Sequence, residues 1–75
     1  MYRVIVTYTD KSFRDYSHIN KIEFYEASAY KTLESDAIIS HRYELGNLIY
    51  HLFSNDGTAS ISVHNAVSFE VYKED

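Results

Sequence analysis

The chain repeats itself. When the stretch from Tyr8 to Phe24 is slid forward by 45 positions it falls on Phe53 to Phe69, so that Asn20 meets Asn65 and Phe24 meets Phe69. The apolar positions Val4 and Ile49, Tyr8 and Phe53, Tyr16 and Ile61, and Ile22 and Val67 are separated by the same interval. A repeated strand, turn, strand and N-x-[IV]-x-F pattern constrains architecture before it says anything about chemistry. Two copies of one small supersecondary unit are expected.

Each copy reads as β structure. Tyr2, Val4, Val6 and Tyr8 alternate with Arg3, Ile5 and Thr7, a period of two rich in β-branched and aromatic residues. Thr9 to Ser12 supplies turn formers, and Phe13 to Ser17 returns as the second strand of a hairpin. A third strand then places Ile22 and Phe24 inward with Lys21, Glu23 and Tyr25 outward. Its counterpart places Val67, Phe69 and Val71 inward against Ser68, Glu70 and Tyr72. The segments Ser17 to Asn20 and Ser62 to Asn65 read as corners or bulges, because Asn tolerates a left-handed backbone.

The unduplicated middle, residues 26–46, is open to two readings. Glu26 to Glu34 holds helix formers with Ala27, Tyr30 and Leu33 three apart, but Tyr30 to Glu34 serves equally as a strand. Leu45, Leu48, Ile49, Leu52 and Phe53 carry helical spacing, with Asp36 able to cap such a helix and Asn55-Asp56-Gly57 able to end it. Against that helix stand its β-branched, Asn and His residues and Gly46, which alone costs about 1 kcal/mol relative to Ala. The repeat favours a strand at Ile49 to Phe53, in the place of Val4 to Tyr8. Apolar on both faces, with Leu48, Tyr50 and Leu52 opposite Ile49 and Phe53, such a strand belongs in the middle of a sheet or in an interface. The expected fold is mainly β, a small twisted antiparallel sheet or partly open barrel with an internal hairpin-plus-strand duplication. The alternative is an α+β chain with a helix near 36–54.

At 75 residues without cysteine, the chain reads as a single domain over residues 1–75, with no disulfide and a thin stability margin. That points to a reducing cytosolic setting. No stretch approaches the roughly 20 apolar residues of a membrane helix, and residues 1–3 lead into strand alternation rather than a signal peptide. Lys73 to Asp75 reads as a solvated end.

Catalytic and metal chemistry find little footing. His18, His41, His51 and His64 form no H-x-x-x-H pair, there is no G-x-S-x-G elbow, and two isolated glycines make no phosphate loop. His18 and His64 fit corners, and His41 and His51 fit element surfaces. Asp10 with Asp15, or Glu34 with Asp36, is more simply read as turn and cap residues than as an acid and base pair. The chain is therefore expected to be no enzyme and to need no cofactor or metal. A net charge of −4, with seven basic residues spread singly, argues against direct nucleic-acid binding.

What remains is an acidic, tyrosine-bearing surface. Glu23, Tyr25, Glu26, Glu34, Asp36, Glu70 and Tyr72 are the candidate partner-binding residues, with Asp15, Glu44, Glu74, Asp75 and an exposed Tyr50 as possible extensions. Such a patch suits a basic protein, for instance an enzyme whose groove expects phosphate. An ordinary solvated face is the plainer alternative, since Lys21, Lys31 and Lys73 are interleaved. Two further readings are a small barrel stacking single-stranded nucleic acid on Tyr and Phe, and a structural protein that dimerises through Leu48 to Phe53 or an edge strand.

The repeated turn and N-x-[IV]-x-F strand, the ending Ser68 to Glu74 and the short, acidic, cysteine-free chain resemble the small β-rich accessory proteins of phages and prophages. That class includes inhibitors of bacterial defence nucleases such as anti-CRISPR proteins. The resemblance implies a stoichiometric protein binder in the bacterial cytoplasm. It transfers no functional residue.

Overall fold

A computed structural model describes residues 1–74. Seven strands and one short helix run in the order β1 (Tyr2–Tyr8), β2 (Phe13–Ile19), β3 (Lys21–Glu26), β4 (Ala29–Glu34), α1 (Asp36–Ser40), β5 (Ile49–Ser54), β6 (Gly57–Ser62) and β7 (Ala66–Lys73). They form two antiparallel sheets, β2-β1-β7 and β4-β3-β5-β6. One core joins them: Tyr2, Val4 and Val6 of the first sheet share a buried cluster with Ile22, Phe24, Tyr50, Leu52 and Ile61 of the second. No closed barrel results.

The duplication is realised as an exchange. Hairpin β1-β2 lies in the first sheet, but the strand that follows it, β3, pairs with β5; hairpin β5-β6 lies in the second, and its following strand, β7, pairs with β1. Each unit thus lends its third strand to the other. The two matched asparagines sit where the chain changes sheets and tie the units together. The Asn20 amide donates to the Phe53 carbonyl (2.9 Å) and its side chain to Asn55 (2.8 Å), while the Thr9 amide donates to the Asn65 carbonyl (2.9 Å).

The hairpin turns explain a discrepancy with the sequence. Between Tyr8 and Ser12 lies a three-residue loop, with Lys11 donating to the Tyr8 carbonyl (2.9 Å) and held left-handed at φ 73°, the usual form of such loops. Between the paired Ser54 and Gly57 lie only two residues. The shorter loop slips β5 by one residue against the 45-residue match, and a one-residue slip inverts a strand's faces. Ile49, matched to buried Val4, is therefore exposed, and Tyr50, expected at the surface, is 1% exposed in the core with Leu52. Phe53 likewise faces out, whereas Tyr8 packs against the core.

Other expectations shift locally for similar reasons. A bulge between Thr7↔Ser68 and Tyr8↔Ala66 leaves Val67 unpaired and exposed, although Phe69 and Val71 turn inward. At the first corner it is His18, at φ 60°, and not Asn20 that takes the left-handed backbone; at the second it is Asn65, at φ 65°. Glu26 to Glu34 holds no helix: Ala27 and Ser28, both at positive φ, close a two-residue turn between the paired Glu26 and Ala29. Of the 36–54 segment only Asp36–Ser40 is helical, with Ile38 buried. Beyond it, Gly46 at φ 120° breaks any continuation, and β5 runs as a central strand.

The irregular segment 41–48 is held down by rings. Tyr43 stacks on Phe69 (4.4 Å between centroids), His41 packs on Phe24 (5.2 Å), and Tyr50 touches Phe24, Tyr43 and Phe69. Offset and edge-on aromatic pairs at these distances add about 0.5 to 1.5 kcal/mol beyond area burial. Tyr43 donates its hydroxyl to the Ile38 carbonyl, and Tyr50 donates to the Glu44 carbonyl (2.8 Å) while accepting from the Glu44 amide (3.1 Å). Buried phenols demand such partners.

Candidate functional site

The outward face of the four-stranded sheet is ordered in rows, because residues opposite one another across antiparallel strands share a face. Across its first row, Tyr30 of β4 pairs with Tyr25 of β3, the rings meeting edge to face at 5.2 Å. Ile49 of β5 continues the row at the next pairing step beyond Phe24↔Tyr50. These three side chains are 67%, 54% and 52% exposed. With Asn47, Leu48 and His51 they line a shallow depression.

The second row is polar. The Thr32 hydroxyl donates to Glu23 Oε2 (3.3 Å), Glu23 is paired with His51, and His51 Nδ1 meets the Ser60 hydroxyl at 2.7 Å. In the third row Lys21 lies over the Phe53 ring (4.5 Å to its centroid), opposite Glu34, with its ammonium 3.9 Å from Glu23. The face thus grades from aromatic to acidic to mixed charge.

The candidate residues do not form one patch. Glu23, Tyr25 and Glu34 share this face, but Glu26 falls on the opposite alternation with Ile22 and Phe24, where burial, the main cause, and to a small extent its charge raise the Tyr50 pKa. Asp36 opens α1, on the exposed side of that helix. Glu70 and Tyr72 lie on the outer face of the other sheet, paired with Ile5 and Arg3. There Arg3 grips Asp15 through both guanidinium and carboxylate arms, Nε to Oδ1 at 2.9 Å, and so lowers the Asp15 pKa. Of the possible extensions, Glu44 is exposed, Glu74 accepts the His18 amide (2.8 Å) instead of lying free, and Asp75 lies outside the described residues. Sequence reading missed Tyr30 and Ile49. The signal was the alternation of β4, read with the cross-strand pairing that only topology supplies.

The histidines are dispersed, and among the described residues no three His, Asp or Glu side chains gather as metal ligands. No helix among these residues is long and apolar enough to cross a membrane. No protein-family model matches the chain, and no curated protein or solved structure matches it.

Proposed function

We propose that the chain is a non-enzymatic protein-interaction module that binds through the outward face of its four-stranded sheet. The observation that carries this reading is the row Tyr30, Tyr25 and Ile49, three large side chains more than half exposed side by side. Contiguous apolar surface of this kind marks contact sites, and Tyr is among the residues that dominate binding energy. Glu23 and Glu34 beside the row favour a basic partner, in line with the formal net charge of −4. Together with the resemblance to phage accessory proteins, this supports an inhibitor or accessory factor acting on a nucleic-acid-handling enzyme in the bacterial cytoplasm.

The test compares faces. Tagged wild-type protein, a Y25A/Y30A variant and an E70Q/Y72A variant are used to capture partners from bacterial lysate, with quantitative mass spectrometry. Loss of a specific partner in the first variant alone supports the reading; equal capture by all three overturns it. Light scattering on the free protein identifies the case in which the partner is a second copy.

A further inference from the structure

A second site lies on a different side of the molecule, between the edge strands β2 and β6, where the two sheets face each other with no strand between them. The opening is a groove of about 550 Å³, within the size range of small-molecule sites. One end is fastened by the bond from the Thr9 amide to the Asn65 carbonyl. Its walls are polar and aromatic together.

Arg14 decides what such a groove attracts. It is paired across the ladder with fully buried Val6, so its side chain leaves β2 on the inward face, as does Tyr16, which pairs with Val4. Among the described residues Arg14 makes no ion pair and no side-chain hydrogen bond, unlike Arg3 on the outer face of the same sheet. It is the one Arg or Lys among the residues lining the groove. The one carboxylate among the described lining residues, Asp10, turns to its own loop, where its Oδ1 accepts from the Ser12 amide (2.9 Å) and hydroxyl (2.5 Å). Arg14 is solvent-exposed, so its guanidinium lines the open groove with its fork free, an arrangement matched geometrically by a carboxylate or a phosphate.

The surroundings favour a flat ligand. Tyr8 and Tyr16 line the groove, and the Tyr8 hydroxyl is anchored to the Ser62 carbonyl (2.7 Å), which fixes its ring. Of the other lining residues, Ser60 turns its hydroxyl to His51 on the outer face, and the His64 ring lies with Nδ1 3.1 Å from Asn47 Oδ1. We infer that the β2/β6 groove is a binding site for a small aromatic oxyanion, its acidic group on Arg14 and its ring against Tyr16 and Tyr8. The overall negative charge opposes this only weakly, since at physiological salt exposed charges beyond about 8 Å are largely screened.

The inference does not depend on the tyrosine face, and its test leaves that face untouched. Uniformly labelled protein is titrated with phenyl phosphate, benzoate or benzyl alcohol at physiological salt, following amide chemical shifts. Saturable shifts confined to β2, β6 and the Thr9 to Ser12 loop are expected with the anions and not with the alcohol, and the tighter anion tells whether the site reads phosphate or carboxylate. Arg14→Gln, whose own spectrum reports that it is folded, is expected to weaken anion binding by about tenfold or more, with Arg14→Lys intermediate. Three results overturn the site: no saturable shift with either anion, benzyl alcohol binding as tightly as they do, or Arg14→Gln binding like the wild type.

Discussion

The sandwich has two lateral sides, and they end differently. On one side, α1 bridges the edge strands β4 and β7, and segment 41–48 fills the gap with Tyr43 against Phe69 and Tyr50. On the other side, β2 and β6 face each other across an open groove lined by Arg14. Both open-side strands belong to the duplicated units, whereas the closing material is the unduplicated middle. The repeat alone therefore builds an open frame, and the insertion supplies the wall that makes half of it a core.

If this contrast is right, the closed side should bear most of the stability. Tyr50→Ala removes a ring that touches three others, and a loss of about 3 to 5 kcal/mol in urea unfolding is expected; half-buried Tyr16 on the open side should cost only about 1 to 2 kcal/mol when cut to Ala. Comparable losses would erase the distinction. Next in size is a gain. Ala27 and Ser28 both hold positive φ in the turn that launches β4, at about 1 to 2 kcal/mol for a left-handed non-glycine residue. A27N/S28G, the pairing this turn prefers, should raise the unfolding free energy by about 1 kcal/mol or more, read as a higher urea midpoint.

A smaller effect separates packing from polarity on the closed side. Tyr43→Phe keeps the stack on Phe69 but deletes the bond to Ile38, for an expected loss of about 1 kcal/mol. Least visible near neutrality is a pH effect. Burial raises the pKa of both Tyr43 and Tyr50. Because these native values lie above the unfolded value of about 10, the linked stability is complete below that pH and is lost as pH rises through the raised values. Phenolate absorbance should show Tyr43 and Tyr50 ionising late, with unfolding. All eight tyrosines ionising together in the ordinary range would mean that the 41–48 wall is not closed.

The frame was legible in the residues and its phasing was not. Asn20 and Asn65 marked the points where the chain changes sheets, and Ile22 with Phe24 declared an inward face correctly. The one-residue slip of β5 was hidden because Ile49, Tyr50, Leu52 and Phe53 are all apolar, so neither phase offends the pattern. Val67 misled because a bulge breaks alternation without changing composition. Phe13 and Arg14 break the usual pattern: the Phe is 64% exposed, and the Arg, itself exposed, leaves β2 on the same face as Tyr16. The pairing of Arg14 with Val6 and of Phe13 with Thr7 sets these faces. Tyr25 was visible as an outward residue, but its partners Tyr30 and Ile49 lie on strands that sequence distance does not bring together.

The exchanged third strands carry a consequence for the chain as a polymer. Neither hairpin-plus-strand half holds its own complement, so what binds the halves is an association made intramolecular by the connecting segment. That segment sets the effective concentration of one half around the other. Cutting the chain within residues 44–47 should therefore turn folding from a first-order event into a second-order one, with a midpoint that moves with protein concentration and two fragments that restore the sandwich when mixed.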